Sequence, residues 1–290
     1  MQDYIIITDS TVDLPSDLTN ELSIKTVALK FNIDGKERFD CLDTESMDIK
    51  EFYNNLRSGK LSSTSQINPN EFIEVFVKYL DEGKDILYIS FSSALSGTFA
   101  SAKIAADELK DKYPKRNIKV VDSLCASMGE GLLVYMAANM KKEGKTIFEL
   151  ESWINNNKLS VCHWFTVDDL NHLKRGGRVS SIGAFLGSML NIKPILHVDN
   201  SGFLKFVTKV RGRQKSLEFL ANQVGELGIN TKDQIIFISH GDCLEDAEKL
   251  KDMIKRKFEV KEVKINTIGT VIGSHAGPGT VALFFVGKER

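Results

Sequence analysis

The sequence predicts an α/β protein of two packed α/β domains, the first on a mostly parallel sheet and the second on a mixed one. Three observations carry this expectation. A chain of 290 residues exceeds one ordinary core and suggests about two domains. Through the first half, β-branched runs alternate with polar turns and helical patterns, the rhythm of βαβ units on a parallel sheet. Beyond residue 155 strands follow one another with little helix between them. A boundary at Asn155-Asn156-Asn157 divides the chain into residues 1–158 and 159–290. No Pro/Gly/Ser-rich linker, internal repeat or low-complexity segment accompanies it, so the halves should pack closely.

The elements follow in order. Residues 4–8 read as a first strand ending in the polar turn Asp9-Ser10-Thr11. Helices are expected at 48–58, ended near Gly59, and at 70–82, where Phe72, Val75, Phe76 and Tyr79 share one side and Gly83 is the C-cap. The apolar run 86–91 is a strand that leads through Ser92-Ser93-Ala94-Leu95-Ser96-Gly97 into a helix to about 112. A strand at 118–121 leads into a helix to about 142. In the second half, strands are expected at 161–167, 193–198 and 203–211, with Asp199-Asn200-Ser201-Gly202 as a hairpin-type turn. A helix at 213–227, a strand at 234–239, a helix at 244–257 and strands near 262–268 and 280–286 complete the chain. Residues 180–192 carry no charge, the pattern of a buried helix that could wall an apolar cavity.

Composition narrows the function classes. Apolar residues are 42% and charged residues 27%, as in soluble globular proteins. A net charge of −1 gives no nucleic-acid signature. Cys41, Cys125, Cys162 and Cys243 form no C-x-x-C pair, which argues against a zinc knuckle or redox dithiol and fits a reducing compartment. The start has no basic leader, and the run 4–7 is too short for a membrane span, so a cytoplasmic location is expected. One asymmetry stands out: residues 171–215 hold nine Lys or Arg and one acid, Asp199, a local charge of +8. Such a run is most often a solvated face; its sharper reading is a docking surface for a phosphate-bearing ligand or an acidic partner.

Familiar catalytic motifs fail on inspection. Gly144-Lys145-Thr146 resembles the end of a phosphate-binding loop, but Asn139 stands where its first glycine should be, so it reads as a helix-terminating turn. Gly277-x-Gly279-x-x-Ala282 leaves too few residues for a dinucleotide unit. There is no G-x-S-x-G and no clustered metal-ligand set, so neither a nucleophile elbow nor a metal is expected.

Three hydroxyl-bearing or glycine-flanked loops remain: Ser62-Ser63-Thr64-Ser65-Gln66, Ser92-Ser93-Ala94-Leu95-Ser96-Gly97-Thr98, and Gly273-Ser274-His275-Ala276-Gly277-Pro278-Gly279. The second joins a strand to a helix at the strand's carboxyl end, where α/β proteins bind ligands. Ser96 reads as the helix N-cap, with the N–H groups of Gly97 and Thr98 at the positive helix end, suited to a carboxylate or phosphate. His275 sits among glycines that let backbone approach a ligand. A lone histidine is more often structural; His163, His172 and His197 have no comparable setting, and His240 at a strand end is a weak candidate.

With these segments in view, the chain resembles the DegV family of bacterial fatty-acid-binding proteins that serve fatty acid kinase. The resemblance runs end to end, through Ile7-Thr8-Asp9-Ser10-Thr11-Val12-Asp13-Leu14-Pro15, Thr64-Ser65-Gln66, Leu95-Ser96-Gly97-Thr98, Leu173-Lys174-Arg175-Gly176-Gly177-Arg178, Asn191-Ile192-Lys193-Pro194-Ile195-Leu196 and His275-x-Gly277-Pro278-Gly279. It implies a long-chain fatty acid held in a cavity between two α/β domains, its carboxylate on Thr64, Ser96 and His275, with Ser65, Gly97 and Thr98 in secondary roles. It implies no catalytic residue, cofactor or metal in this chain. A separate ATP-dependent kinase would make the acyl-phosphate for phospholipid synthesis, meeting Arg175 and Arg211; transient membrane contact is also compatible. One departure is local: the family usually reads Thr-Ser-Gln-Pro, whereas Ile67 follows Gln66 here and the proline is Pro69, so a less rigid loop is expected. Two other readings stand beside this one. A dihydroxyacetone-kinase-like protein would hold a small carbonyl compound through His275. A hydrolase would use Ser96 and His275.

Overall fold

The computed structural model describes residues 3–42, 47–179 and 191–290. The charge-free segment 180–192 falls outside these, except for Asn191 and Ile192. The first half runs β1 (Tyr4–Asp9), α1 (Ser16–Glu21), β2 (Lys25–Val27), β3 (Lys30–Ile33), β4 (Lys36–Phe39), α2 (Ile49–Arg57), β5 (Ser62–Ser65), α3 (Pro69–Asp81), β6 (Asp85–Ser90), α4 (Thr98–Leu109), β7 (Ile118–Asp122), α5 (Met128–Lys142) and α6 (Ile147–Asn157). The second runs β8 (Val161–Thr166), α7 (Leu170–Arg175), β9 (Ile192–Val198), β10 (Leu204–Arg211), α8 (Arg213–Leu227), β11 (Ile235–His240), α9 (Leu244–Lys257), β12 (Glu262–Thr267), α10 (Thr270–Ala276) and β13 (Val281–Val286).

The predicted fold class holds. β2-β1-β6-β7 form an all-parallel sheet, and β10-β9-β8-β13-β11-β12 a mixed sheet in which only β11 and β12 run parallel. All six residues of β1 and of β6 are buried, because helices cover both faces of the parallel sheet. Side chains alternate along each strand. Ile5, Ile7, Ile86 and Tyr88 join one apolar cluster with Phe72, Phe76 and Ala102 of α3 and α4. Ile6, Leu87 and Ile89 face the other way onto Leu132, Leu133 and Ala137 of α5. Phe165, Phe237, Ala282 and Phe284 of the mixed sheet belong to that same second cluster, so α5 lies between the two sheets and one core runs from half to half. The outer face of the mixed sheet packs on α8 and α9 through Trp164, Leu283, Leu220 and Leu250.

Two of the expected loops are regular structure. Ser62–Ser65 forms β5, an edge of the small antiparallel sheet β4-β3-β5, with Thr64 opposite Phe31. Four hydroxyl residues carry no apolar alternation, which is why the strand is invisible in sequence. Gly273-Ser274-His275-Ala276 is the end of α10. Ile67, the departure from the family pattern, is buried in the first-half core, and Asn68 caps α3 in a capping box with Glu71, so this segment is anchored on both sides. Gly144 turns the chain from α5 into α6 at φ +91°, as a helix-terminating turn requires.

Candidate functional site

A cavity of about 240 Å³ opens at the carboxyl ends of the parallel strands and is closed by the second half. Its wall is mainly apolar: Leu29, Phe91 and Leu95 from one half, Phe165, Leu204 and Phe284 from the other. Its polar groups include Thr64, Ser65, Gln66, Ser96, Gly97, Arg178 and His275.

They arrive from separate parts of the chain, Thr64 and Ser65 on β5, Ser96 and Gly97 before α4, and His275 on α10. Thr64 is a half-buried residue of β5, and its Oγ1 lies 2.8 Å from His275 Nε2 in the last turn of α10. Ser96 lies on the connection from β6 to α4. The serines there have separate tasks. Ser92 is fully buried and donates to the Gly202 carbonyl at 3.0 Å, tying the connection to the turn between β9 and β10. Ser93 is exposed, and Ser96 faces the cavity.

The expected helix cap needs correction. The cap residue of α4 is Gly97, one position later than predicted, and Ser96 Oγ instead accepts from the Thr98 N–H at 3.3 Å and lies 2.9 Å from Thr98 Oγ1. Thr98 is fully buried behind Ser96 and is not part of the cavity wall, so any role it has is indirect. A Cβ at Gly97 would meet Gln66 Oε1 at 2.0 Å, so any side chain there would have to push the Gln66 amide aside.

His275 is a neutral imidazole. Burial, then the positive charge of Arg178, holds its pKa down at about 4. Its Nδ1 is buried beside Gly176, without a hydrogen-bond partner among the described residues. With Nε2 on Thr64 and Ser96 Oγ on Thr98, no Ser96–His275 pair of the hydrolase kind is made.

Arg178 is the residue that sequence reasoning left among surface charges. Its Nε donates to the Leu95 carbonyl at 3.1 Å and a terminal nitrogen donates to the Gly176 carbonyl, so a fixed cation lines the cavity. It adds a cation to the wall beside the three expected head-group residues. His163 was also passed over. It lines the cavity with both nitrogens engaged, Nδ1 at 2.8 Å from the Val161 carbonyl and Nε2 accepting from the Ala126 N–H at 3.2 Å. His240 accepts from the Cys243 N–H at 3.2 Å, a structural contact.

The basic segment is less positive than its count suggests. Lys193 pairs with Asp168, Arg213 with Asp246, and Lys205 with Asp199. Arg175 at the end of α7 and Arg211 at the end of β10 are exposed and carry no ion pair among the described residues. No group of His, Cys, Asp and Glu that could hold a metal is present among the described residues, and none of their helices is long and apolar enough to cross a membrane.

Comparison with known proteins agrees with this architecture. The sequence profile described as uncharacterised protein, DegV family, matches residues 4–288. The DegV domain-containing protein CPE0026 of Clostridium perfringens is 50% identical across 100% of this chain and 99% of its own. A DegV-family protein from Thermus thermophilus, described by its fatty acid binding, superposes with a TM-score of 0.89 at 31% identity, over 98% of this chain and 99% of that one. A DegV lipid-binding protein from Thermotoga maritima gives 0.88 at 30% identity, over 99% of both chains. A full-length profile match, end-to-end sequence identity and the same arrangement of sheets make this chain a member of the DegV family.

Proposed function

We propose that this chain binds a long-chain fatty acid in the cavity and presents its carboxylate to a separate ATP-dependent fatty acid kinase. The observation that carries this is an apolar cavity with the Thr64–His275 pair, Ser96 and Arg178 in its wall. Solved relatives at 30% and 31% identity, described as lipid or fatty acid binding, support the ligand class. Each buried CH₂ contributes about 0.8 kcal/mol, so the tail supplies most of the affinity and the polar groups supply orientation.

In this reading the hydroxyls of Thr64 and Ser96 donate to the carboxylate and the His275 Nε2–H is shared between Thr64 Oγ1 and a carboxylate oxygen, with Ser65 and Gly97 beside them. Arg178 opposes its charge. One carboxylate oxygen stays free to attack the γ-phosphorus of ATP held by the kinase. ADP leaves, and the acyl-phosphate passes to phospholipid synthesis. Arg175 and Arg211 are the proposed kinase contacts, residues 1–158 and 159–290 the two domains, and the cytoplasm the location. Nothing in the site favours a small carbonyl compound, which would leave the apolar wall unfilled.

Mass spectrometry of the denatured protein tests this directly. A long-chain fatty acid should be released, or taken up on incubation of stripped protein. No acid by either route would sink the reading, and a covalent adduct on His275 would replace it with the carbonyl-binding one.

A further inference from the structure

Helix α10 carries His275, yet its own flanking residues do not hold its N-terminus. The cap residue is Gly269, which has no side chain to offer. Asp13 Oδ1 instead accepts the Gly269 N–H at 2.8 Å. Asp40 Oδ1 accepts the Thr270 N–H at 3.0 Å and the Thr270 hydroxyl at 2.6 Å. Both acids come from the first half of the chain, more than 200 residues away. Other ties run the same way: Tyr53 donates to the Ile268 carbonyl at 2.9 Å, and Ser62 lies 2.7 Å from Ser274. The helix is also fastened to the second half, where the Ile268 N–H reaches the His240 carbonyl at 2.8 Å.

This is a costly way to cap a helix. Asp13 is 1% exposed and Asp40 4%, and neither has an ion-pair partner among the described residues. Asp40 Oδ2 is buried with no hydrogen-bond partner among the described residues. Ser127 also donates to Asp13 Oδ2, yet burying two carboxyls without an ion pair costs more than a local Ser or Asn cap. A side chain at Gly269 would displace this cap, because its Cβ would come within 2.8 Å of Asp13 Oδ1. What the arrangement gains is dependence: α10 is capped only when the two halves are closed on each other.

We propose that Asp40, assisted by Asp13, is a positioning residue for the head-group clamp, capping α10 across the two halves and so setting His275 against Thr64. The consequence for ligand release rests on the fatty-acid reading above; the consequence for α10 does not.

The test uses the full chain with Asp40→Ala and Asp40→Asn, following amide hydrogen exchange by mass spectrometry and dissociation of a fluorescent long-chain fatty acid. In Asp40→Ala, exchange across 269–276 should rise about tenfold while β1 and β6 stay protected, and the fatty acid should leave about tenfold faster. Asp40→Asn keeps the Oδ1 acceptor and should return both to within about threefold of wild type. Unchanged exchange in Asp40→Ala, or no rescue by Asn, overturns the proposal. Should Asp40→Ala not fold, Thr270→Val removes one donor to Oδ1 and should raise the same exchange about threefold, with no change again overturning it. If wild type binds no fatty acid, the functional reading falls, and the exchange data still decide the role of Asp40.

Discussion

Thr64 and His275 stand 211 residues apart in the chain and 2.8 Å apart in space. Neither half of the molecule makes this contact alone. An edge strand supplies the hydroxyl, a helix from the far end supplies the imidazole, and burial keeps that imidazole neutral. A neutral ring with one N–H and a rotatable hydroxyl orient a carboxylate without a bidentate grip on it.

The two residues should therefore contribute unequally to fatty acid binding. His275→Ala removes a hydrogen bond to a charged group, worth about 1.5–3 kcal/mol, and should weaken affinity roughly 10- to 100-fold. Thr64→Val keeps the shape of the side chain and should cost only about three- to tenfold. Titration calorimetry with a long-chain fatty acid measures both. Affinity unchanged in His275→Ala would remove the imidazole from the site.

Acid pH should weaken the fold through His275. Its pKa is about 4 in the fold, against 6.5 ordinarily. Between these values the unfolded chain takes up a proton that the folded chain refuses. The stabilisation is complete above pH 6.5 and falls as pH drops towards 4, by up to about 3 kcal/mol. The buried carboxyls of Asp13, Asp40 and Glu130 have raised pKa values, mainly through burial, so their contribution runs the other way and is lost as pH rises. Urea midpoints of wild type and His275→Gln from pH 4.5 to 7.5 separate the two effects, and parallel curves would refute the assignment. Arg178→Gln should move the His275 titration upward in an NMR series, because it removes a positive charge that opposes protonation.

Much of this architecture is legible in sequence. The apolar runs of β1 and β6 and the periodicity of α3 declare themselves, because burial on both faces or on one stripe leaves a pattern. Sheet β4-β3-β5 does not, since its strands are only four residues long and β4 and β5, built of Lys, Glu, Arg, Ser and Thr with one Phe, show no such pattern. Helix α10 is hidden for another reason. Thr270-Val271-Ile272-Gly273 is a poor helix-forming run, and its cap comes from Asp13 and Asp40. Within the site, hydroxyls and a glycine-flanked histidine marked the three segments, and only the family resemblance singled out Thr64, Ser96 and His275 within them. Arg178 was lost in a basic stretch, because charge counting cannot tell a cation turned into a cavity from one turned to solvent.

Adjacent glycines near His275 give a sharp contrast. Gly176 has φ −67°, so its backbone accepts alanine, but a Cβ there would come 2.2 Å from His275 Nδ1. Gly176→Ala should displace the ring from Thr64 and weaken fatty acid binding about tenfold. Gly177 has φ +69° and open space around it. Gly177→Ala should cost about 1–2 kcal/mol of stability through left-handed backbone strain and leave affinity unchanged. Thermal melts and binding curves on both variants check this, and equal affinity losses would contradict the geometry.

The basic face should serve the partner and not the ligand. Lys193, Lys205 and Arg213 are already engaged by Asp168, Asp199 and Asp246, so their charge is partly spoken for. Arg175 and Arg211 are exposed, and neither is in the cavity wall. Exposed charges at an interface act chiefly on encounter rate, and their effect fades with salt. Arg175→Glu and Arg211→Glu should therefore leave fatty acid affinity within about twofold. Acyl-phosphate formation with the kinase at limiting concentration should fall about tenfold, most strongly at low ionic strength. Reversing Lys205, already paired with Asp199, should do less. If the Arg175 or Arg211 variant loses fatty acid binding as much as phosphorylation, that arginine belongs to the lipid site or the fold, and the kinase contact must lie elsewhere.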